Sequence, residues 1–129
     1  MVNALIETLK KGTIETVLLF GDTDEPQVPP YVVVKPESGA IAGTRQFRII
    51  VHHRIGMFDD LQKYVFKELN ELLIYSKEKG GKVFIADEEG NEFRLQPGGY
   101  TDVMTETSEI PTLVMERLFI QPFINGGSR

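Results

Sequence analysis

The side chains best suited to chemistry are few, and their spacing limits what they can do. His52 and His53 are the two histidines of the chain. Neighbouring residues of a strand point to opposite faces, so the pair cannot clasp one metal ion in regular geometry. Polar strand-end positions account for both. There is no cysteine, which removes disulfides, thiolate metal sites and thiol nucleophiles. Asp22-x-Asp24 resembles the opening of a calcium loop, but Gln27 stands where that loop needs glycine and Val33 where it needs glutamate. Asp59 and Asp60 diverge by about 100° on a helix and suit the positive end of the helix dipole better than acid–base work. Asp87-Glu88-Glu89 reads as a solvated acidic turn. None of the glycine-rich phosphate loops, nucleophile elbows or H-E-x-x-H patterns occurs. The reading is therefore a non-enzyme with no cofactor, metal or catalytic residue.

These side chains need elements to hold them, and hydrophobic spacing predicts an α+β domain. Asn3 to Lys11 reads as a short amphipathic helix capped by Asn3. Ile14 to Phe20 fits a helix or a buried strand. Three prolines and a glycine make Gly21–Pro30 a long loop. Tyr31–Lys35 is a β-branched strand ended by Pro36, and Glu37 to Thr44 is a connection. Arg45 to Arg54 alternates, with Phe47, Ile49 and Val51 on one face and Gln46, Arg48, Ile50 and His52 on the other. Its neighbour is Tyr31–Lys35 in an antiparallel hairpin.

Met57 to Ser76 reads as a helix about 30 Å long at ~1.5 Å per residue, with Phe58, Leu61, Val65, Leu69 and Leu72 forming an apolar stripe along it. Phe66, Leu73 and Ile74 widen it, as deep burial or a partner surface would require. Lys82–Ala86 and Glu92–Leu95 flank a turn in which Gly90-Asn91 supply positive φ. Pro97-Gly98-Gly99 breaks the chain, and Tyr100 to Pro111 reads as a long polar, acidic, threonine-rich loop with room for one short strand. Thr112 to Gln121 is the last strand, apolar on both faces, and residues 125–129 form a flexible tail. The predicted architecture is a mainly antiparallel four- to five-stranded sheet. One long helix packs across a face, and a short N-terminal helix precedes it.

Composition bounds the function. The 129 residues, 41% of them hydrophobic and 26% charged, suit one domain covering 1–129. The net charge of −5 argues against a protein that coats nucleic acid. Arg45, Arg48, His52, His53 and Arg54 form a local basic stretch. A solvated face paired with the acidic loops explains it better than a nucleic-acid groove, since Phe47 lies on the opposite face and stacking aromatics are missing. No apolar run of ~18 residues offers a membrane span, and the start lacks a signal-peptide pattern. What remains is surface. The loops at about 21–30 and 97–111 are longer than a compact small domain needs.

Several phrases, in this order along the chain, resemble the tail-terminator (tail-completion) proteins of long-tailed bacteriophages. They are the N-terminal helix, the proline-rich loop into Pro30-Tyr31-Val32-Val33-Val34, and the strand Arg45-Gln46-Phe47-Arg48-Ile49-Ile50-Val51. Met57-Phe58-Asp59-Asp60-Leu61 then opens the long helix. Asp102-Val103-Met104-Thr105-Glu106 and Glu116-Arg117-Leu118-Phe119-Ile120 close the pattern, which spans nearly the whole chain. The resemblance implies a structural virion protein at the tail–neck junction, assembled in the host cytoplasm. It would form a ring, a homohexamer in this family, that caps the tail tube and meets the tube protein and a neck or head-completion protein. DNA would pass through the lumen without specific binding, since carboxylates repel phosphate. Asp22 and Asp24 of the first loop, with Tyr100, Met104 and Glu106 of the second, are the candidate assembly residues, as Tyr and Met anchor interfaces well. Other readings stay open: a head–tail joining protein, a small non-viral ligand-binding domain using the helix–sheet cleft, and an enzyme using His52 or His53, for which His→Ala changes would abolish activity without hurting assembly.

Overall fold

The computed structural model describes residues 1–38 and 44–122. The expected tail at 125–129, and most of the expected connection before Thr44, lie outside the described residues. Helices pack on one face of a six-stranded sheet. Chain order is α1 (Val2–Leu9), β1 (Val17–Leu19), β2 (Tyr31–Ser38), β3 (Arg45–His53), α2 (Phe58–Lys63), a π-helical turn (Tyr64–Glu68) and α3 (Leu69–Leu73). Two small hairpins follow, β4 (Tyr75–Ser76) with β5 (Gly81–Lys82) and β6 (Ile85–Ala86) with β7 (Glu92–Phe93). The last described elements are β8 (Gln96–Tyr100), β9 (Met104–Glu106) and β10 (Thr112–Gln121). The main sheet runs β1-β2-β3-β10-β8, with β9 also paired to β10.

The α+β class, the initial helix and the alternation of β3 hold, and three features differ from expectation. The sheet has six strands rather than four or five and is mixed, because β1 resolves as a strand and lies parallel to β2, with Val17 beside Val32. Parallel neighbours need a returning crossover of about a dozen residues, and the proline-rich loop is that crossover. The second difference is at 97–111: β9 is the short strand for which that segment has room, but β8 runs through Pro97-Gly98-Gly99, which reads as a break. They follow the same edge of β10, β8 along Arg117–Ile120 and β9 along Thr112–Val114. Threonine-rich polar sequence suits an edge strand, since such a strand has little to bury. Gly98 permits this: a Cβ there would sit 3.0 Å from Leu118 Cβ, beside a bulge in the pairing.

The long helix is the third. It ends at Leu73 rather than Ser76 and carries a π turn at its middle. The wider turn shifts the inward register. Leu61, Tyr64, Val65, Leu69 and Leu73 are buried, whereas Phe58 is 45% exposed and Leu72 is only half-buried. Leu73 is deep core, and Phe66 and Ile74 pack against it.

Smaller differences have local causes. Residue Met1, not Asn3, occupies the cap position of α1. The strand β2 runs through Pro36 to Ser38. Val32 and Val34 turn their backbone groups toward β1, and Pro36, in phase with them, lies beyond β1, where a missing N–H leaves no gap. In the β6–β7 turn only Gly90 takes positive φ, at 85°. Asp87 Oδ1 accepts the N–H groups of Glu89 and Asn91 at 2.9 Å, so this acid closes its own turn.

Arg117 ties the layers together. It points from β10 into the helix layer, is 7% exposed, and donates from Nη1 to the Val65 carbonyl of the π turn at 2.9 Å. Its guanidinium lies 4.8 Å from the centre of the Phe119 ring. Burial without a carboxylate partner lowers its pKa from the usual arginine value. Replacing Arg117 with Met keeps the volume but leaves that carbonyl without its charged donor. We expect a loss of about 1.5–3 kcal/mol, read as a lower urea midpoint at unchanged slope.

Candidate functional site

The helix-facing side of the sheet is filled. Val32, Val34, Ile49, Val51 and Phe119 pack there with Leu5, Leu61 and Leu69, all at 0% exposure. The opposite face carries the alternate residues of the same strands. Leu18, Val33, Ile50, Leu118 and Ile120 are half-buried on it. Arg48 crosses it between β2 and β10. Its Nε and Nη2 donate to the two Glu37 oxygens at 3.0 and 3.2 Å, and its Nη1 to Glu116 Oε1 at 3.0 Å. The guanidinium holds the Glu37 carboxyl below its ordinary value through that hydrogen bond. The basic stretch is thus neutralised at Arg48 by acids of neighbouring strands, not of the loops.

Because the crossover from β1 to β2 must run back along the sheet, it walls this face at one end. The result is a groove of about 590 Å³. Its floor includes Leu18, Val33, Ile50 and Val114. Phe20 and Met104 flank it, and Asp24, Glu25, Glu106 and Glu116 bring carboxylates to it. Glu116 is held by Arg48; Asp24, Glu25 and Glu106 have no ion-pair partner among the described residues. An apolar floor with unneutralised carboxylates favours a partner that is both apolar and cationic.

Of the five candidate residues, the fold brings three together. Asp24, Met104 and Glu106 line the groove, the first from the crossover and the others from β9. Asp22 does not line it; its exposed position follows a backbone hydrogen bond to the Leu19 carbonyl at 3.0 Å. Tyr100 lies on the helix-facing side of the sheet edge. Its ring meets Phe66 edge-on at 4.9 Å while remaining 61% exposed. Sequence reasoning did not single out Tyr31, Ile50 or His52 as groove residues. For Ile50 a signal existed, since it is an apolar residue on the face that β3 otherwise gives to Gln46, Arg48 and His52.

The histidines diverge as strand geometry requires, but both are buried, at 7% and 8% exposure. His52 stacks on Tyr31 with ring centres 4.4 Å apart, and its Nδ1 shares a hydrogen bond with Thr112 Oγ1 at 3.0 Å. Burial depresses its pKa, while the Glu106 and Glu116 carboxylates oppose that effect. His53 lies on the helix side, where its Nδ1 accepts the Arg54 N–H at 2.9 Å. Burial depresses its pKa too, against the pull of Asp60.

A histidine with a depressed folded-state pKa binds fewer protons than it does unfolded. Its contribution is present above the unfolded value of about 6.5 and is lost as pH falls through the lower folded value. Melting temperature is therefore expected to fall as pH drops below about 6.5. His52→Gln, which keeps a partner for Thr112, is expected to reduce that slope; an unchanged slope would assign the effect to other groups.

Among the described residues, no three histidine, aspartate or glutamate side chains group as metal ligands, and no helix is long and apolar enough to cross a membrane. No family model and no curated protein matches the chain.

Proposed function

We propose that this chain is a structural assembly subunit of a bacteriophage virion, a tail terminator. It forms a ring, a homohexamer, that caps the tail tube, ends its polymerisation and joins it to the neck. The observation that carries the reading is the open sheet face. Half-buried apolar side chains share one groove there with Asp24, Glu25 and Glu106, which have no ion-pair partner among the described residues, and the proline-rich crossover bounds it. A sheet face of this kind gains by burial against protein, and the resemblance along the sequence supplies the kind of assembly. The partners are copies of itself, the tail tube protein and a neck or head-completion protein. DNA slides through a lumen that its acidic balance keeps non-adhesive. The reading assigns the chain no catalytic step and no cofactor.

The test is native mass across a concentration series, followed by electron microscopy and by addition to growing tail tubes. A species near six subunits that stops tube growth is expected. A ring that binds neck protein but leaves tube growth unaltered would favour the head–tail joining reading. A ligand-binding domain is the other alternative, favoured by the groove volume, which lies in the ~300–1,000 Å³ range of small-molecule sites. On this fold it would use the open face, because core side chains fill the helix–sheet layer. A monomer or dimer holding a small molecule would replace the assembly reading with that one.

A further inference from the structure

The groove asks for an apolar, cationic occupant, and the chain carries one on its other side. The β4–β5 hairpin leaves α3 directly and lies beside the segment after α1, so it belongs to the helix layer. Tyr75 on it is 53% exposed. Lys77, Lys79 and Lys82 are exposed and make no ion pair among the described residues. Glu78 is the acid of the tip itself. Glu7, Asp87 and Glu88 share one groove with Lys79, and Glu68 and Glu71 share another with Tyr75, Lys77 and Lys79.

We infer that the Tyr75–Lys82 hairpin of one copy seats in the open-face groove of the next. Lys77, Lys79 and Lys82 meet Asp24, Glu25 and Glu106, and Tyr75 covers the apolar floor near Ile50 and Met104. Among the described residues none of these lysines or carboxylates has an ion-pair partner; the three lysines, less Glu78, leave the hairpin cationic, and an aromatic stands against an aliphatic floor. The two surfaces lie on opposite layers of the domain, so this contact cannot be two-fold. It is head-to-tail, the type that closes into rings when the rotation permits. The inference rests on the ring reading and adds to it which surfaces meet.

The chain has no cysteine, so introduced thiols report without background. Lys79→Cys and Glu106→Cys are made singly and together, and treated with a short bismaleimide. Neither single variant should couple to itself, their mixture should give dimers, and the double variant should give a ladder ending at the ring. As a second measure, Lys77→Glu, Lys79→Glu and Lys82→Glu together should weaken assembly at least tenfold. Adding Asp24→Lys, Glu25→Lys and Glu106→Lys should restore it. Dimers from either single variant would overturn the head-to-tail contact. Rings without a ladder, or without rescue by the charge swap, would place the contact elsewhere and leave the ring reading standing. Assembly lost on groove reversal but not on hairpin reversal would mean that another basic segment fills the groove, and would overturn the inference. A chain that stays monomeric at every concentration and on tube tips would overturn both.

Discussion

Phe119→Ala is expected to destabilise the protein by about 3–5 kcal/mol and to lower its melting temperature by roughly 12–20 °C. Phe119 is fully buried in β10, directly opposite Phe47 of β3, and its ring carries the Arg117 guanidinium. Truncation opens a cavity at the centre of the sheet and removes the apolar and π surface on which a buried cation rests. Domains of this kind hold about 5–15 kcal/mol in total, so the variant gives up a large share. Urea titration at matched slope measures it. A loss under about 1 kcal/mol would mean that the helix layer closes over the gap, contrary to a close-packed core.

Ile50→Lys is expected to do the reverse. It should leave the fold within about 1 kcal/mol of the parent and weaken assembly by about 100-fold. Ile50 neighbours the fully buried Ile49, but it points to the open face and is only half-buried there. Its register partner on β10 is Glu116, so a lysine gains an opposite charge beside it. At the same time it puts a cation on the apolar floor that an incoming basic, aromatic segment must cover. A hot spot at the centre of an interface contributes ~2–4 kcal/mol, which corresponds to roughly 30- to 1,000-fold in association. Native mass measured beside a melt separates the two effects. A variant that melts normally and still assembles at parental concentrations would remove the open face from the interface.

The contrast between these two positions shows what alternation along a strand carries. The period of two in Arg45–Arg54 assigned Ile49 and Ile50 to opposite faces, and the fold follows it. The same pattern could not say that Ile50 would lie under Asp24 and Glu106, because those residues come from a crossover and an edge strand far along the chain. Tyr100 and Met104 make the point from the other side. They are four positions apart in a segment that reads as a loop with room for one short strand, but β8 and β9 pair along different parts of β10 and hand the two side chains to opposite faces of the sheet.

By itself, then, the sequence determined the α+β class, the initial helix, the inward and outward residues of β3, the last strand and the loop ahead of β2. Each of these rests on local periodicity or on proline and glycine, which act within a few residues. Only the tertiary structure decided that β1 lies parallel to β2, that β8 and β9 share one edge of β10, and that the helix takes a π turn whose Val65 carbonyl receives Arg117. It also decided that Asp24, Met104 and Glu106 share one groove while Asp22 and Tyr100 stand apart. Those outcomes depend on pairings between residues distant in the chain, where the energy of a contact belongs to the partner as much as to the residue.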